Sequence, residues 1–363
     1  MAARADYRMR VGSACYTRVA PPRRIAQHMQ LILVLPALPE LRAGKAASAR
    51  ASALAHLLAT AGAPVREGGG TAAALAARYG VIRQTDWPLA PIRLAALGVD
   101  PETAFWLAAD PVTLAVGRSD VQLAGIVGDL GRTDADALVA TLNAHFAGDG
   151  LTFVAPRPDA FFVRATARTR LSTHPPDAAL GRPLRLLLPQ GPDADAWRRW
   201  QSEIEMLLHE HPVNVERERA GRPLANSLWF SCGGTLPPRR EPAPSMRTFA
   251  AEGSAATLAA HAGSPARALP GHLGVALEDA GGAESIVVSL GPAHGLALVE
   301  RSWAAPARDA LAAGSLDAVT LLSDDAGDAV IWHARRPGLW QRFAGRYARH
   351  DLAAILDAAE MDR

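Results

Sequence analysis

The chain is short of cysteine, of aromatics and of long apolar runs, and each shortage removes a class of protein. Only Cys15 and Cys232 are present, which is too few for a disulfide framework and fits a reducing, cytoplasmic setting. No CxxC or HExxH spacing occurs, so the common zinc patterns are missing. No GK[ST] ending follows a glycine loop, which excludes a Walker phosphate loop. No stretch reaches the roughly 18 apolar residues of a membrane-spanning helix, so no membrane association is expected. Aromatics make up 6% of the 363 residues, while Ala, Arg, Gly and Pro are plentiful, a bias that suits a GC-rich bacterial genome.

Net positive charge is confined to the first 28 residues. That leader holds six Arg against Asp6, a charge of +5; the whole chain is +2, so residues from Met29 onward carry −3 by difference. Nucleic-acid binding needs positive charge on a folded face, and none is expected here. The leader lacks the apolar centre of a signal peptide. Three readings of it stand: translation beginning at Met29, a disordered basic tail, or a targeting peptide.

What is present alternates. Residues 31–35 form an unbroken apolar run, as a central parallel strand would, and 48–61 follow with helical spacing. Residues 68–70 are a triple glycine before a short helix over 72–79. Residues 105–107 and 112–116 read as strands, 133–145 as a helix, 153–154 with 161–165 as a hairpin, and 184–188 as a further strand. A helix over 195–211 carries the stripe Trp197, Trp200, Ile204, Leu207, Leu208 and His211, and Pro212 ends it. A short helix over 215–220, a buried strand over 227–230, a Pro-rich linker over 241–245, strands at 286–290, 319–322 and 330–333, and a helix over 297–313 complete the series. The alternation predicts an α/β fold, a mostly parallel sheet covered by helices, with an inserted α+β domain. The expected division is a leader at 1–28, the first part of the core at 29–104, the insertion at 105–215, a return to the core at 216–345 and a C-terminal helix or tail at 346–363.

Polar residues crowd the junctions of 207–234. His211 closes the apolar stripe, where its ring suits a terminal carbonyl, or serves as a ligand or acid–base group. His209 points elsewhere on the helix. Asn214 is placed to cap the next helix or start a turn. Arg217 and Arg219 lie on opposite sides of a short helix, so at most one faces a site. Asn226 precedes the buried strand, and Gly233 and Gly234 follow it, where backbone N–H groups hold phosphate in some folds and make ordinary tight turns in others. His209, His211, Asn214, Arg217, Asn226, Gly233 and Gly234 are thus the ligand-binding candidates. Thr71 is either a helix N-cap or a hydroxyl at an activated position. Asp324 and Asp325 end a strand, as weak metal candidates or as a solvated turn.

The run HEHPVNVERERAGRPLANSLWFSCGG resembles a block in bacterial RpfE-type regulatory proteins, and the related block of archaeal-type cofactor-independent phosphoglycerate mutases. LILVLPALPE resembles the first strand of those mutases, and GGTAAALAARYGV their glycine-led nucleophile segment. The resemblance spans about residues 29–234, with a faint continuation near 321–325. It implies the alkaline-phosphatase-like superfamily, a core sheet carrying two divalent metals, and a phosphorylated serine. The departures fall on that chemistry. Pro36 stands where a metal-binding Asp should close the first strand, Thr71 where the serine should be, with Ala72 in place of an Asp, and His261, His272 and His294 are isolated where a ligand cluster is due. Two adjacent divalent ions need several carboxylates and imidazoles to offset their charge.

The resemblance with its departures implies a catalytically degenerate relative with a regulatory role or a phosphorylated or anionic small-molecule ligand, and no cofactor. One alternative is an active phosphoglycerate mutase or phosphatase with an altered metal set. Another is a protein-interaction module using Trp197, Trp200 and Trp340, its partner unspecified.

Overall fold

The computed structural model describes residues 29–43, 52–117, 120–180, 182–241, 245–291, 293–336 and 351–361. The leader, Cys15 and Trp340 lie outside the described residues.

The chain opens with β1 (Gln30–Val34), α1 (Leu38–Ala43), α2 (Ser52–Ala61), β2 (Val65–Gly68), α3 (Gly70–Arg78) and α4 (Leu89–Ala96). A second module follows: β3 (Phe105–Val116), β4 (Val121–Ile126), α5 (Arg132–His145), β5 (Leu151–Arg157), β6 (Ala160–Ala165), α6 (Ala194–His209), α7 (Pro212–Arg219) and β7 (Ser227–Gly234). The chain then returns through β8 (Met246–Phe249), α8 (Ser254–His261), α9 (Leu273–Glu278) and β9 (Ser285–Ser289). A helix follows as α10 (Leu296–Leu298), a π-helical turn (Val299–Ala304) and α11 (Ala305–Ala313), and then β10 (Ala318–Asp325), β11 (Asp328–Arg335) and α12 (Leu352–Met361).

The fold is mixed α/β. The core sheet has six strands in the order β2-β11-β10-β1-β9-β8. β10, β1, β9 and β8 are parallel neighbours; β11 and β2 are added antiparallel at one side. The apolar run of β1 has a direct cause. Leu31 and Leu33 enter the core under α2 and α11, while Ile32 and Val34 enter the opposite core under α3 and α8. A strand covered on both faces has no solvent side, so alternation disappears from its sequence.

The second sheet is antiparallel, in the order β4-β3-β6-β5 with β7 also paired to β3. A mostly parallel sheet therefore describes the four neighbouring core strands alone. One face of this second sheet packs Phe105, Leu107, Phe161 and Phe230 against Leu138 and Leu142 of α5 and Trp197 and Ile204 of α6. The other face packs Trp106, Ala108 and Phe162 against Ala90 and Leu94 of α4. α4 thus joins the two modules.

Three expectations about these elements need correction. Residues 105–107 and 112–116 are one strand, β3, despite Pro111. β3 pairs with β6 as far as Ala108 and with β4 from Val112, so the missing N–H of Pro111 falls at the change of partner. Residues 184–188 are not a strand. Leu184–Leu186 is a 3-10 turn, and Leu187 packs with Val112, Leu123 and Trp229. β7 belongs to the second sheet, so this module runs to Gly234, past the expected return at 216. β8 was not foreseen, because MRTF has neither an apolar run nor a clear alternation. Among the described residues, no helix is long and apolar enough to cross a membrane.

Candidate functional site

A cleft of about 610 Å³ opens between the modules, bounded by α3, α4 and α8 on the core side and by β3, β7 and the 175–177 loop on the other. It lies beyond the carboxyl end of β8, where open α/β sheets usually hold ligands. Three hydrogen-bonded groups flank or line it.

The first lies at the start of α3. Gly69 adopts a left-handed conformation (φ 94°), which turns the chain from β2 into the helix. Asp324, at the end of β10, faces that helix start. Its Oδ1 accepts the Thr71 N–H at 2.7 Å, and its Oδ2 accepts the Thr71 hydroxyl at 2.6 Å. Gly70 is required for this approach: a Cβ there would meet Asp324 Oδ1 at 2.7 Å. Burial raises the Asp324 carboxyl above its ordinary value, and its bonds from Thr71 oppose the rise. Thr71 is therefore not an N-cap but a residue inside the first turn, held by a carboxylate from another strand.

The second group joins the modules. Asp86, buried between α3 and α4, accepts from the N–H and hydroxyl of Thr173 and from the Trp87 N–H. Thr173 Oγ1 in turn accepts the Cys232 N–H at 2.8 Å. Cys232 has φ 59°, an uncommon value for a residue with a side chain, and sits where the β3–β7 register shifts. Burial pushes its thiol up to about 12, with Asp86 adding to the effect. A thiol so raised is a poor nucleophile at neutral pH, where the thiolate is the reactive form.

The third group is Asp110, buried in β3 and paired with Arg93 Nη1 at 2.9 Å. Arg93 also lies 5.2 Å from the Phe162 ring centre. Burial raises the Asp110 carboxyl, and Arg93 opposes it. Across the cleft, burial and the Asp110 charge raise Asp177. The lining holds Asp110, Asp159, Asp177 and Glu252 against Arg93 and Arg157, an excess of negative charge.

The residues singled out in 207–234 are placed elsewhere, bonded to their own backbone. His211 is the N-cap of α7, not the end of α6: its Nδ1 accepts the Val213 N–H at 3.2 Å, and its Nε2 lies 3.0 Å from the Thr141 hydroxyl. Burial lowers its pKa. Asn214 is inside α7 rather than a cap. It donates to Leu208 O and Ala225 O and accepts the Ala225 N–H. Arg217, 2% exposed, donates to Pro223 O and pairs with Asp129, whose carboxyl those bonds hold below its ordinary value. Asn226 exchanges two hydrogen bonds with the backbone of Leu114 in β3. His209 is exposed.

Gly233 and Gly234 are within β7, not a turn after it. Their bare backbone permits close packing, since a Cβ at Gly234 would lie 2.5 Å from Pro88 Cβ. Asp324 and Asp325 close β10 and are no solvated turn. Asp325, 2% exposed, accepts Arg66 Nη2 at 2.7 Å. Sequence reasoning missed Asp86, Asp110 and Asp177. For Asp110 a signal existed, a lone acid inside the apolar strand FWLAADPVTLAV.

The two-metal centre implied by the sequence resemblance does not fit the residues present. Pro36 offers only its carbonyl, which accepts the Ser323 hydroxyl at 2.7 Å. Among the described residues, no group of three or more His, Cys, Asp or Glu side chains is placed to hold a metal ion.

No protein-family model matches the chain, and no curated protein matches it. Among solved structures, it is similar to a cofactor-independent phosphoglycerate mutase from Thermoplasma acidophilum DSM 1728, with 15% identity over 92% of this chain and 99% of that one and a TM-score of 0.38. It is also similar to a protein from Pyrococcus horikoshii, with 13% identity over 85% of this chain and 87% of that one and a TM-score of 0.43.

Proposed function

We propose that this chain is a catalytically degenerate, regulatory protein that binds a small molecule in the cleft between its modules and does not transfer phosphoryl groups. The observation that carries the reading is the grip of Asp324 on Thr71. The N-terminus of a helix, with its free N–H groups and positive dipole end, is where a phosphoryl group would be held. At α3 that place is filled by the protein's own carboxylate. The start of α2 is filled the same way: Glu300 accepts the N–H of Ala53 at 2.7 Å and of Leu54 at 3.0 Å.

The Thr71–Asp324 pair has the outline of a nucleophile and its base. A carboxylate, even with its pKa raised by burial, is far too weak a base to generate an alkoxide without a metal. The phosphorylated or anionic ligand inferred from the resemblance would meet four carboxylates and two guanidiniums in the cleft, both already paired with aspartates. A neutral or cationic molecule with an apolar body suits the lining better, with Ile92, Leu97 and Leu258 as its walls.

The test is metal analysis and a 3-phosphoglycerate turnover assay on the full chain. The expected result is no stoichiometric metal and no turnover. About two equivalents of tightly bound Mn²⁺ or Zn²⁺, with turnover lost in Thr71→Ala, would overturn the reading.

A further inference from the structure

A second cavity of about 630 Å³ lies at the opposite, amino end of the core sheet. The strand register builds it. Met246, Ser285, Gln30, Ala318 and Arg335 form one transverse row across β8, β9, β1, β10 and β11. The next row places Ile32, Thr320 and His333 side by side. Ser285 and Ala318 are short, which leaves room on either side of Gln30. α3 ends at Arg78, before it covers these strand starts, and Arg78 lines the cavity. Higher on the same face the sheet is sealed by apolar packing of Val34, Leu322 and Ile331.

The charge of this cavity is opposite to that of the cleft. Arg78 and Arg335 line it with a single carboxylate, Asp317. Neither arginine has a carboxylate within ion-pair distance among the described residues. Arg78 Nη1 donates to Ala74 O at 2.8 Å, which holds the side chain along the helix end. Thr320 Oγ1 lies 3.1 Å from His333 Nδ1, so a hydroxyl and an imidazole stand beside the guanidiniums. Arg78 is partly desolvated, and Glu67 acts on it only from beyond ion-pair distance; beside Arg335 it leaves charge that a bound anion would neutralise.

We propose that this cavity binds a small oxyanion of the phosphate or phosphomonoester class, with Arg78 and Arg335 as its charge partners and Thr320 and His333 as polar neighbours. The site is independent of the cleft and of the function proposed for it. The groups around His333 are Arg335 on its own strand, Arg78 from α3, Glu67 from β2, Thr320 from β10 and Asp317 just before β10. Burial and the two arginines hold its pKa below the ordinary histidine value. A bound anion opposes that effect, so protonation of His333 strengthens binding.

The experiment is calorimetric titration of the full chain with inorganic phosphate at fixed ionic strength. The expected result is saturable binding at one site, weakened about tenfold in Arg335→Gln and in Arg78→Gln, with Arg157→Gln in the cleft unchanged. Sulfate, which does not titrate in this range, is expected to bind more tightly at about pH 5.5 than at about pH 8, with the dependence lost in His333→Gln. Absence of saturable binding would overturn the proposal. So would equal affinity in Arg335→Gln, or a loss confined to Arg157→Gln. Arg335 is exposed and its substitution leaves the core intact, so this variant decides the matter if Arg78→Gln does not fold. The mutase assay and metal analysis read the cleft alone, so the two failures are distinguishable.

Discussion

Asp324 holds Thr71 by both its backbone N–H and its hydroxyl, across 253 positions of sequence. The contact fastens the start of α3 to the end of β10 and does the work of an N-cap from a distance. Asp324→Ala is expected to destabilise the protein by about 1–2 kcal/mol, the usual cost of a lost cap. Asp324→Asn should cost less, since an amide oxygen still accepts the Thr71 N–H. Urea denaturation of both variants checks the order; an equal loss in the two would show that charge, not the hydrogen bond, governs the contact.

Asp86 gives a pH signature. Burial raises its folded pKa above the ordinary 3.8. A group with a raised folded pKa contributes stability that is present below the ordinary value and is lost as pH rises through the folded one. The Tm of the wild type relative to Asp86→Asn should therefore fall as pH rises from about 3.5 to about 7. A difference that grows with pH would mean that the hydrogen bonds from Thr173 and Trp87 outweigh burial.

Arg66 is mostly buried and donates through Nη2 to Asp325 at 2.7 Å and to the Ala359 carbonyl of α12 at 2.6 Å. Removing Arg66 takes a charge partner from the buried Asp325 carboxylate and a donor from the Ala359 carbonyl. Arg66→Met is expected to cost about 3–5 kcal/mol. Native-state proteolysis should also cut earlier near α12, whose carbonyl loses its donor. An unchanged denaturation midpoint would refute this account.

Asn214 satisfies three backbone groups at once. Asn214→Ala leaves the Ala225 N–H and carbonyl unpaired in the second module, while Leu208 O keeps the His211 N–H. A loss of roughly 1–3 kcal/mol is expected, the cost of a buried unsatisfied group. The cleft itself should be unaffected, because none of these atoms lines it. Loss of ligand binding in a folded Asn214→Ala protein would restore Asn214 as a site residue.

The parts of the fold legible in the sequence are those where burial leaves a pattern. β1, β9 and β10 carry apolar runs because both faces are covered, and the stripe of α6 shows in Trp197, Ile204 and Leu208. Edge strands leave less trace. β2 is VREG, largely exposed, and is a strand only because β11 supplies its partner. The candidate site was less legible still. Asn214, Asn226 and Arg217 have the composition of a binding site, yet each hydrogen-bonds the chain's own backbone. Residue type does not distinguish a carbonyl of the protein from an oxygen of a ligand. Asp86 and Thr173, by contrast, are 87 positions apart, and no local pattern announces that they meet.

The pairing of Trp106 with Gly234 brings the first turn of chain in the second module beside its last. All six core strands lie outside that interval. The module is therefore inserted into the chain at one pair of neighbouring strand ends, and it also packs on α4 of the core. A short linker across that gap would shorten the protein by more than a third and leave every strand pairing of the core sheet in place. Separate expression of the two halves of the architecture is open to experiment on this ground.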